Sequence, residues 1–131
     1  MVCVYCFNPT TVINSRLNKK SNRIWRRRRC LSCYAVFTTS EEVNLAQTWM
    51  VRKNKTDTPF NRDKLFLSIY ESMKHREEPI NDAHQITNTI IAKLKSTTNG
   101  IINSQTISTL TAVTLNRFDK TAYVYYHAFH N

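Results

Sequence analysis

The four cysteines of this chain form two pairs with the same spacing, Cys3-x-x-Cys6 and Cys30-x-x-Cys33. Two thiolates separated by two residues can bind one metal ion from a tight turn, and two such turns complete a tetrahedral shell around Zn2+. Four protein thiolates leave no position open for water or substrate. The spacing therefore predicts one structural Zn2+ ion per chain.

Two other uses of paired cysteines were weighed against zinc. Disulfides are favoured in secreted chains, but no secretory signal is expected, because Cys3 and Cys6 precede any apolar segment. A thioredoxin-like redox pair belongs to a βαβ unit, and no strand is expected before Cys3. Zinc is therefore the preferred interpretation. Metal binding would also fold this small segment, since zinc-finger peptides gain roughly 10–16 kcal/mol from it.

Positive charge is concentrated in the first third of the chain. The whole chain has 19 Lys and Arg against 9 Asp and Glu, which gives a net charge of +10. Residues 1–40 contain eight basic residues and no acidic residue, so the remainder is nearly neutral. A basic module of this kind is typical of polyanion binding. No apolar run approaches the roughly 18 residues needed to cross a bilayer, so a cytoplasmic protein with no membrane partner is expected.

The basic segment has the pattern of a small antiparallel sheet. Residues 11–13, 24–25 and 35–39 predict three short strands, and residues 18–22 predict a polar turn between the first two. Each cysteine pair then lies at a tight turn beside the sheet. This layout is that of a zinc ribbon.

A run of four arginines, Arg26 to Arg29, directly precedes the second cysteine pair. If the run continues the second strand, alternation places Arg26 and Arg28 on one face of the sheet and the other two arginines on the opposite face. One pair can then bind phosphates, while the other is solvated or pairs with the glutamates at 41–42. A solvated face is the ordinary role of such a run, but in an acid-free segment beside a metal site we favour nucleic-acid contact. The candidate DNA-binding residues are Arg16, Arg26, Arg27, Arg28 and Arg29.

The sign of the charge changes at residues 40–42, which predicts a boundary between a first domain, 1–45, and a second domain, 46–131. Residues 43–53 are rich in strand formers, and residues 54–57 have the composition of a turn. A β-hairpin is therefore expected at the start of the second domain.

Four helices are expected after the hairpin. Asn61 is expected to cap the first, the second begins near Asn81, the third begins at Ser104, and the fourth covers 120–130. Gly100, the single glycine, lies between the second and third helices, where a left-handed residue is useful. Helical spacing predicts burial of Leu65, Phe66, Ile69, Tyr70, Met73, Ile86, Ile90, Ile91, Leu94, Ile107, Leu110, Val113 and Phe118. The predicted fold class is α+β: a four-cysteine zinc ribbon, then a β-hairpin with a bundle of about four helices.

Several of these segments occur in the same order in a known family. They are Cys3-x-x-Cys6, Ser15-Arg16, the arginine run with Leu31 and Cys33, Phe37-Thr38-Thr39 with Glu41, Val51-Arg52-Lys53, Pro59-Phe60-Asn61-Arg62-Asp63-Lys64-Leu65 and Ala122-Tyr123-Val124. Over essentially its whole length the chain resembles NrdR, the transcriptional repressor of bacterial ribonucleotide reductase genes. The resemblance implies that residues 46–131 form an ATP-cone, a nucleotide-sensing domain.

The resemblance also implies the effector and the partners. ATP or dATP is expected to bind in the cone at Arg52, Lys53, Asn61, Lys64 and Ser104. Basic side chains supply charge to a triphosphate, and helix N-termini offer unpaired N–H groups to its oxygens. No Gly-x-x-x-x-Gly-Lys loop is present, so the residue pattern alone would not have suggested ATP. The resemblance further implies a homo-oligomer that binds a double-stranded DNA operator. The aromatic helix at 123–129 is a candidate subunit interface, although about half of its residues are expected to pack in the core.

The chain departs from the family pattern at two positions where glycine is usual. Lys55 occupies one of them, in the hairpin turn after Asn54, and Tyr34 occupies the other, after the second cysteine pair. The fold is expected to tolerate these changes. The preference between ATP and dATP is left open by the sequence.

Two other classes of function were considered. An enzyme is disfavoured because zinc would use all four cysteines and the acidic residues form no cluster, while His127-x-x-His130 is a spacing more often found on a surface or in a core. An RNA-binding ribbon is the other class, because Tyr5, Phe7 and Trp25 lie among the basic residues and can stack on unpaired bases. We expect these three aromatics to form the small core of the ribbon instead.

Overall fold

The computed structural model describes residues 1–130 of the chain, which divide into two compact units, Met1–Asn44 and a second unit that begins at Leu45. The first unit consists of antiparallel strands around four cysteines, and the second combines helices with a small mixed sheet. The predicted α+β class is confirmed.

The first unit contains a three-stranded antiparallel sheet in the order β1-β2-β3. Its strands are β1 (Thr10–Asn18), β2 (Arg23–Cys30) and β3 (Val36–Glu41). All three coincide with predicted strands and are longer than the sequence pattern indicated. The polar turn is also confirmed, because the Asn18 side chain accepts hydrogen bonds from the backbone of Lys20 and Ser21 at 3.0 and 3.2 Å.

The second unit opens differently from the predicted hairpin. Residues 43–53 were expected to form one strand, but the chain first makes the short helix α1 (Leu45–Thr48) and only then the strand β4 (Met50–Lys53). The burial of Trp49 explains the difference: its side chain is 6% exposed and packs edge-on against Phe60, with ring centroids 5.3 Å apart. Helix α1 therefore places the ring of Trp49 in the core, where a longer β4 strand was expected.

The small sheet of the second unit has three strands in the order β5-β4-β6. Strand β5 (Thr56–Pro59) pairs with β4 in the predicted antiparallel hairpin, whereas β6 (Ile101–Asn103) pairs with β4 in parallel. The sequence pattern did not predict β6, because three residues are too short to show alternation. Gly100 precedes β6 with a φ of 110°, so the predicted left-handed position is confirmed.

Four longer helices complete the second unit: α2 (Arg62–Glu71), α3 (Pro79–Thr97), α4 (Ser104–Phe118) and α5 (Lys120–His130). Asn61 caps α2 as predicted, since its side chain accepts a hydrogen bond from the backbone of Lys64 at 3.1 Å. Helix α3 begins two residues earlier than expected, because Pro79 fits the first helical turn, where its missing N–H is not needed.

The core of the second unit contains most of the predicted apolar residues. Its fully or nearly fully buried members include Leu65, Ile69, Met73, Ile86, Ile90, Ile91 and Leu94, with Leu115, Ala122 and Tyr126 from the last two helices. The predicted burial of Val113 and Phe118 is wrong, since their side chains are 44% and 39% exposed. Both belong to α4, whose inward positions are instead the threonines Thr111 and Thr114, with Leu115. Each of these threonine hydroxyls donates to a carbonyl one turn earlier, which explains how helix α4 buries them.

Asp119 forms the junction between α4 and α5. Its backbone N–H donates to the carbonyl of Leu115 at the end of α4, and its Oδ1 accepts from the backbone of Thr121 and Ala122 at the start of α5. Its Oδ2 accepts from Arg76 at 2.7 Å and lies 3.0 Å from Nε2 of His75. One carboxylate therefore caps a helix and also fastens the loop between α2 and α3.

The turn between β4 and β5 contains two residues with left-handed backbone, Asn54 with φ 52° and Lys55 with φ 68°. Positive φ at both positions is the requirement of a type I′ hairpin turn, for which Asn-Gly is the preferred sequence. Lys55 is one of the two positions where the family usually has glycine, and the structure shows why glycine suits it.

We therefore expect Lys55→Gly to stabilise the second unit by about 1 kcal/mol, because glycine adopts this conformation without the steric cost of a Cβ atom. The measurement is thermal unfolding followed by circular dichroism at 222 nm. Lys55→Ala is the matched control, since it removes the same side chain but keeps the Cβ. A gain of equal size in both variants would show that loss of the lysine charge, not backbone conformation, is responsible.

Candidate metal centre and nucleic-acid interface

The four cysteine sulfurs converge at one end of the ribbon. Cys3 lies in the first knuckle with Cys6, and Cys30 is the last residue of β2 with Cys33 in the second knuckle. The Sγ atoms of Cys3 and Cys33 are 3.7 Å apart and those of Cys6 and Cys30 are 3.4 Å apart. All four sulfurs lie within 4.8 Å of one another. The four cysteines selected by their spacing in the sequence therefore lie together in the structure.

The distances fit a metal rather than disulfides. A disulfide requires a separation of about 2.05 Å, whereas a tetrahedral zinc site with bonds of about 2.3 Å places its sulfurs roughly 3.8 Å apart. The four free cysteines can therefore hold one zinc ion with little movement. Within residues 1–130 they form the one group of three or more potential metal ligands, and His127 and His130 belong to no such group.

Hydrogen bonds to sulfur prepare the knuckles for a metal. The backbone of Tyr5 donates to Sγ of Cys3 at 3.4 Å, and the backbone of Ser32 donates to Sγ of Cys30 at 3.3 Å. Hydrogen bonds from the backbone and the side chain of Asn8 lower the pKa of Cys6 to about 6. Such donors favour the thiolate, which is the form that binds zinc.

Each knuckle is followed by an aromatic residue in the left-handed region, Phe7 and Tyr34, both with φ 62°. Tyr34 is the second position where the family usually has glycine, and its backbone conformation accounts for that preference. Their side chains are 75% and 73% exposed. Tyr5 is also exposed, at 70%. The expectation that Tyr5 and Phe7 form the core of the ribbon is therefore wrong, because turns this tight direct their side chains outward.

The predicted alternation of the arginine run is present in β2. Arg26 and Arg28 are half-buried, whereas Arg27 and Arg29 are exposed. Register with the neighbouring strands extends the two faces: Arg28 lies between Val12 and Phe37, and Arg27 lies between Asn14 and Thr38. One face of the sheet is thus partly covered by apolar side chains and the other is open and polar.

Of the two glutamates at the end of β3, only Glu41 lies near an arginine of the run in the described part of the chain. Arg26 lies 3.9 Å from Glu41, and Glu42 accepts a hydrogen bond from Arg23 at 2.6 Å. Arg27 instead donates to the hydroxyl of Thr38 at 2.7 Å. Arg16 places its guanidinium 5.8 Å from the ring centroid of Trp25. Arg28 directs Nη1 towards the hydroxyl of Thr10 at 3.5 Å, so three of the five candidate DNA-binding arginines have neutral partners.

The candidate nucleotide residues lie around the small sheet of the second unit. Arg52 and Lys53 end β4, and Ser104 begins α4 directly after Asn103, which pairs with Arg52. Asn61 and Lys64 lie at the start of α2, which follows β5. This start is at the other end of the sheet, where Pro59 of β5 pairs with Met50 of β4. The two groups are thus separated along the strands by about 10 Å.

The side chains of this region differ in availability. Arg52 makes a bidentate ion pair with Asp57, at 2.8 and 3.0 Å, so part of its charge is already compensated. Lys53 and Lys64 are exposed and have no ion-pair partner within residues 1–130. Sequence reasoning missed Asp57 as the partner of Arg52; their positions directly opposite each other in the hairpin are the signal that identifies it.

Helix α4 begins at Ser104, as predicted. Asn103, not Ser104, accepts the hydrogen bond from the backbone of Gln105, at 2.8 Å. Ser104 is the first residue of the helix and is partly buried. Asparagine and serine are both favoured N-caps, so residue preference alone does not distinguish Asn103 from Ser104 as the cap.

Among residues 1–130 no helix is both long and apolar enough to cross a membrane. A comparison with protein-family models matches residues 1–41 to the N-terminal domain of NrdR-like transcriptional repressors. These residues include all four cysteines, the three strands of the ribbon and the arginine run. The family resemblance predicted from the sequence is confirmed there. Residues 1–41 are therefore similar to the N-terminal zinc ribbon of NrdR-like transcriptional repressors.

Proposed function

We propose that this protein is a zinc-dependent transcriptional repressor whose ribbon binds a double-stranded DNA operator and whose second unit responds to ATP or dATP. The family match over residues 1–41 carries the first part of the proposal, since the matched family is one of transcription regulators rather than enzymes. As the resemblance implies, the operator lies upstream of ribonucleotide reductase genes.

The ribbon has the chemistry that duplex binding requires. Its strands present five arginines that were selected as DNA contacts, and residues 1–40 contain no acidic side chain. Cationic side chains gain affinity from the release of counterions that phosphate groups condense. Zinc, when bound, joins the two knuckles and so fixes the end of β2 from which the arginine run extends.

The second unit offers groups that suit a nucleotide triphosphate. Lys53 and Lys64 supply uncompensated positive charge, and the N-termini of α2 and α4 supply backbone N–H groups and the positive end of a helix dipole. We assign the nucleotide to Arg52, Lys53, Asn61, Lys64 and Ser104. In this proposal residues 46–131 act as an ATP-cone.

Nucleotide binding must change the assembly in order to regulate it. A ligand shifts an equilibrium only through different affinities for the two states. Helix α5 supports a role in assembly, because Val124, Tyr125 and Phe129 are 60%, 47% and 79% exposed. Exposed aromatic and apolar side chains on one helix are typical of contacts between subunits. We propose that the protein is a homo-oligomer whose subunit number depends on the bound nucleotide.

The test is the mass of the zinc-loaded protein in gel filtration with light scattering, without nucleotide, with ATP and with dATP. We expect the mass to change with the nucleotide, and the nucleotide to co-elute. Lys64→Gln should weaken nucleotide binding about tenfold, the effect of losing one charge-assisted contact of roughly 1.4 kcal/mol. Lys95→Gln, which removes another exposed lysine from the last turn of α3, is the matched control. A single mass with no bound nucleotide would contradict the proposed sensor.

A second candidate function is binding of unpaired RNA by the ribbon. The observation that favours it is the exposure of Tyr5, Phe7 and Tyr34, since exposed aromatic rings beside basic residues can stack on unpaired bases. Nucleotide dependence separates the two functions. An RNA-binding ribbon should ignore ATP and dATP and should prefer single-stranded RNA to duplex DNA.

A further inference from the structure

The two faces of the ribbon sheet differ in how their arginines are used. We name the face that carries Arg16, Trp25, Arg27 and Arg29 the open arginine face, and the face that carries Arg26 and Arg28 the packed face. The assignment follows from alternation in β2 and from the pairing of Arg16 with Trp25 across β1 and β2. Both faces carry positive charge, so charge alone does not select one of them.

Arginines on the packed face are held by the ribbon itself. Arg26 lies near Glu41, which offsets part of its charge. Arg28 is half-buried and directs Nη1 towards the hydroxyl of Thr10 at 3.5 Å, and its Nε atom is buried without a partner in the described part of the chain. A side chain in this position must leave its packing to reach a phosphate. The packed face is therefore poorly suited to bind a duplex.

Arginines on the open arginine face keep their charge and are oriented by neutral groups. Arg27 is held by the hydroxyl of Thr38, and the guanidinium of Arg16 lies over the ring of Trp25. Arg29 is exposed and has no carboxylate partner within residues 1–130. Orientation by neutral partners reduces the side-chain entropy lost on binding without reducing the attraction to an anion. Arg23, at the far end of β2 on the same face, is neutralised by Glu42.

We propose that the open arginine face binds the phosphate backbone of duplex DNA through Arg16, Arg27 and Arg29, whereas Arg26 and Arg28 have a structural role. This inference rests on the proposed function and deepens it, because it selects three of five candidate arginines and one side of the sheet. Alternation in the sequence alone left open which pair of the arginine run binds phosphates.

The test compares two double variants that remove the same charge from the same strand, Arg27→Gln with Arg29→Gln and Arg26→Gln with Arg28→Gln. The measurement is the affinity of the zinc-loaded full chain for a duplex oligonucleotide at several salt concentrations. Each lost phosphate contact lowers the slope of log affinity against log salt by about 0.9. We expect the 27/29 variant to lose about 1.8 units of slope and the 26/28 variant to lose little.

Controls separate folding from contact. Zinc content and the backbone spectrum of each variant show whether the ribbon is intact, and Arg27→Lys with Arg29→Lys should keep most of the slope because it keeps the charge. If both glutamine variants keep their zinc and lose equal slope, or if the 26/28 variant loses more, the open arginine face is not the one that binds DNA. The proposed function would be unaffected by that result. Failure of the unmodified protein to bind any duplex would instead overturn the proposed function.

Discussion

Cys30→Ser is expected to release zinc and unfold the ribbon while the second unit stays folded. The Sγ of Cys30 is buried among the other sulfurs and accepts hydrogen bonds from the backbone of Ser32 and Cys33. Zinc contributes roughly 10–16 kcal/mol to the folding of comparable peptides, and little else in the ribbon can replace it. Few of its residues are buried, and its strand β1 is largely exposed.

The measurement combines zinc content per chain, backbone NMR and circular dichroism at 222 nm. The helices of the described chain all lie beyond Asn44, so the signal at 222 nm reports mainly on the second unit. Ser32→Ala is the matched control in the same knuckle, since it keeps the backbone N–H that bonds to Cys30. Duplex binding should disappear in the serine variant, while nucleotide affinity is retained. Simultaneous loss of the helices would show that the two units do not fold independently.

Asp119→Ala is expected to destabilise the second unit by about 2–3 kcal/mol, the size of a lost hydrogen-bonded charge. The side chain is 14% exposed and accepts hydrogen bonds from Arg76, from the start of α5 and from His75 when that ring carries a proton on Nε2. Asp119→Asn is the informative companion, because an amide oxygen can still cap α5. We expect the asparagine variant to lose less stability than the alanine variant. The stability that it still loses relative to the unmodified protein measures the contribution of the charge.

The same carboxylate predicts a dependence of stability on pH. Burial raises the pKa of Asp119, but hydrogen bonds from His75, Arg76 and the backbone of Ala122 and Thr121 together lower it well below the usual 3.8. The stabilisation is therefore complete above that value and is lost as the pH falls from there towards the lower pKa of the folded state. Unfolding by urea followed at 222 nm between pH 3 and pH 6 checks this.

The asparagine variant supplies the comparison for the pH series. It cannot be protonated, so its stability should fall less between pH 5 and pH 3 than that of the unmodified protein. Parallel curves for the two proteins would show that other carboxylates determine the acid sensitivity of the second unit.

Much of the ribbon could be predicted from the sequence because its determinants are local. Cysteine spacing identified the four sulfurs, and alternation correctly divided the arginine run into two pairs. Tyr5 and Phe7 were predicted to be buried but are exposed. In a cysteine knuckle the backbone of the tight turn determines where a side chain points, whatever its hydrophobicity. Phe7 has a left-handed φ of 62°, and its side chain is 75% exposed.

In the second unit the sequence predicted the helices themselves better than the way they pack against one another. Asn61 was correctly identified as a cap, and α5 has the predicted bounds, because capping and helical spacing act within a few residues. The burial of Val113 and Phe118 was predicted wrongly, since three buried threonine and leucine positions on α4 compete with them for the same core. Which stripe of a helix faces inward depends on its neighbours.

The sequence by itself determined the similarity of the ribbon to a known family, the four cysteines that lie together, the positions of the helices and the concentration of charge near the N-terminus. These properties depend on residue type and short spacing. Only the tertiary structure decided that β6 joins β4 in parallel, that Asp57 compensates Arg52, and that the arginines of β2 differ in partners and exposure. The physical reason is that each of these features depends on contacts between different segments of the chain. The energies of such contacts cannot be read from a local sequence pattern.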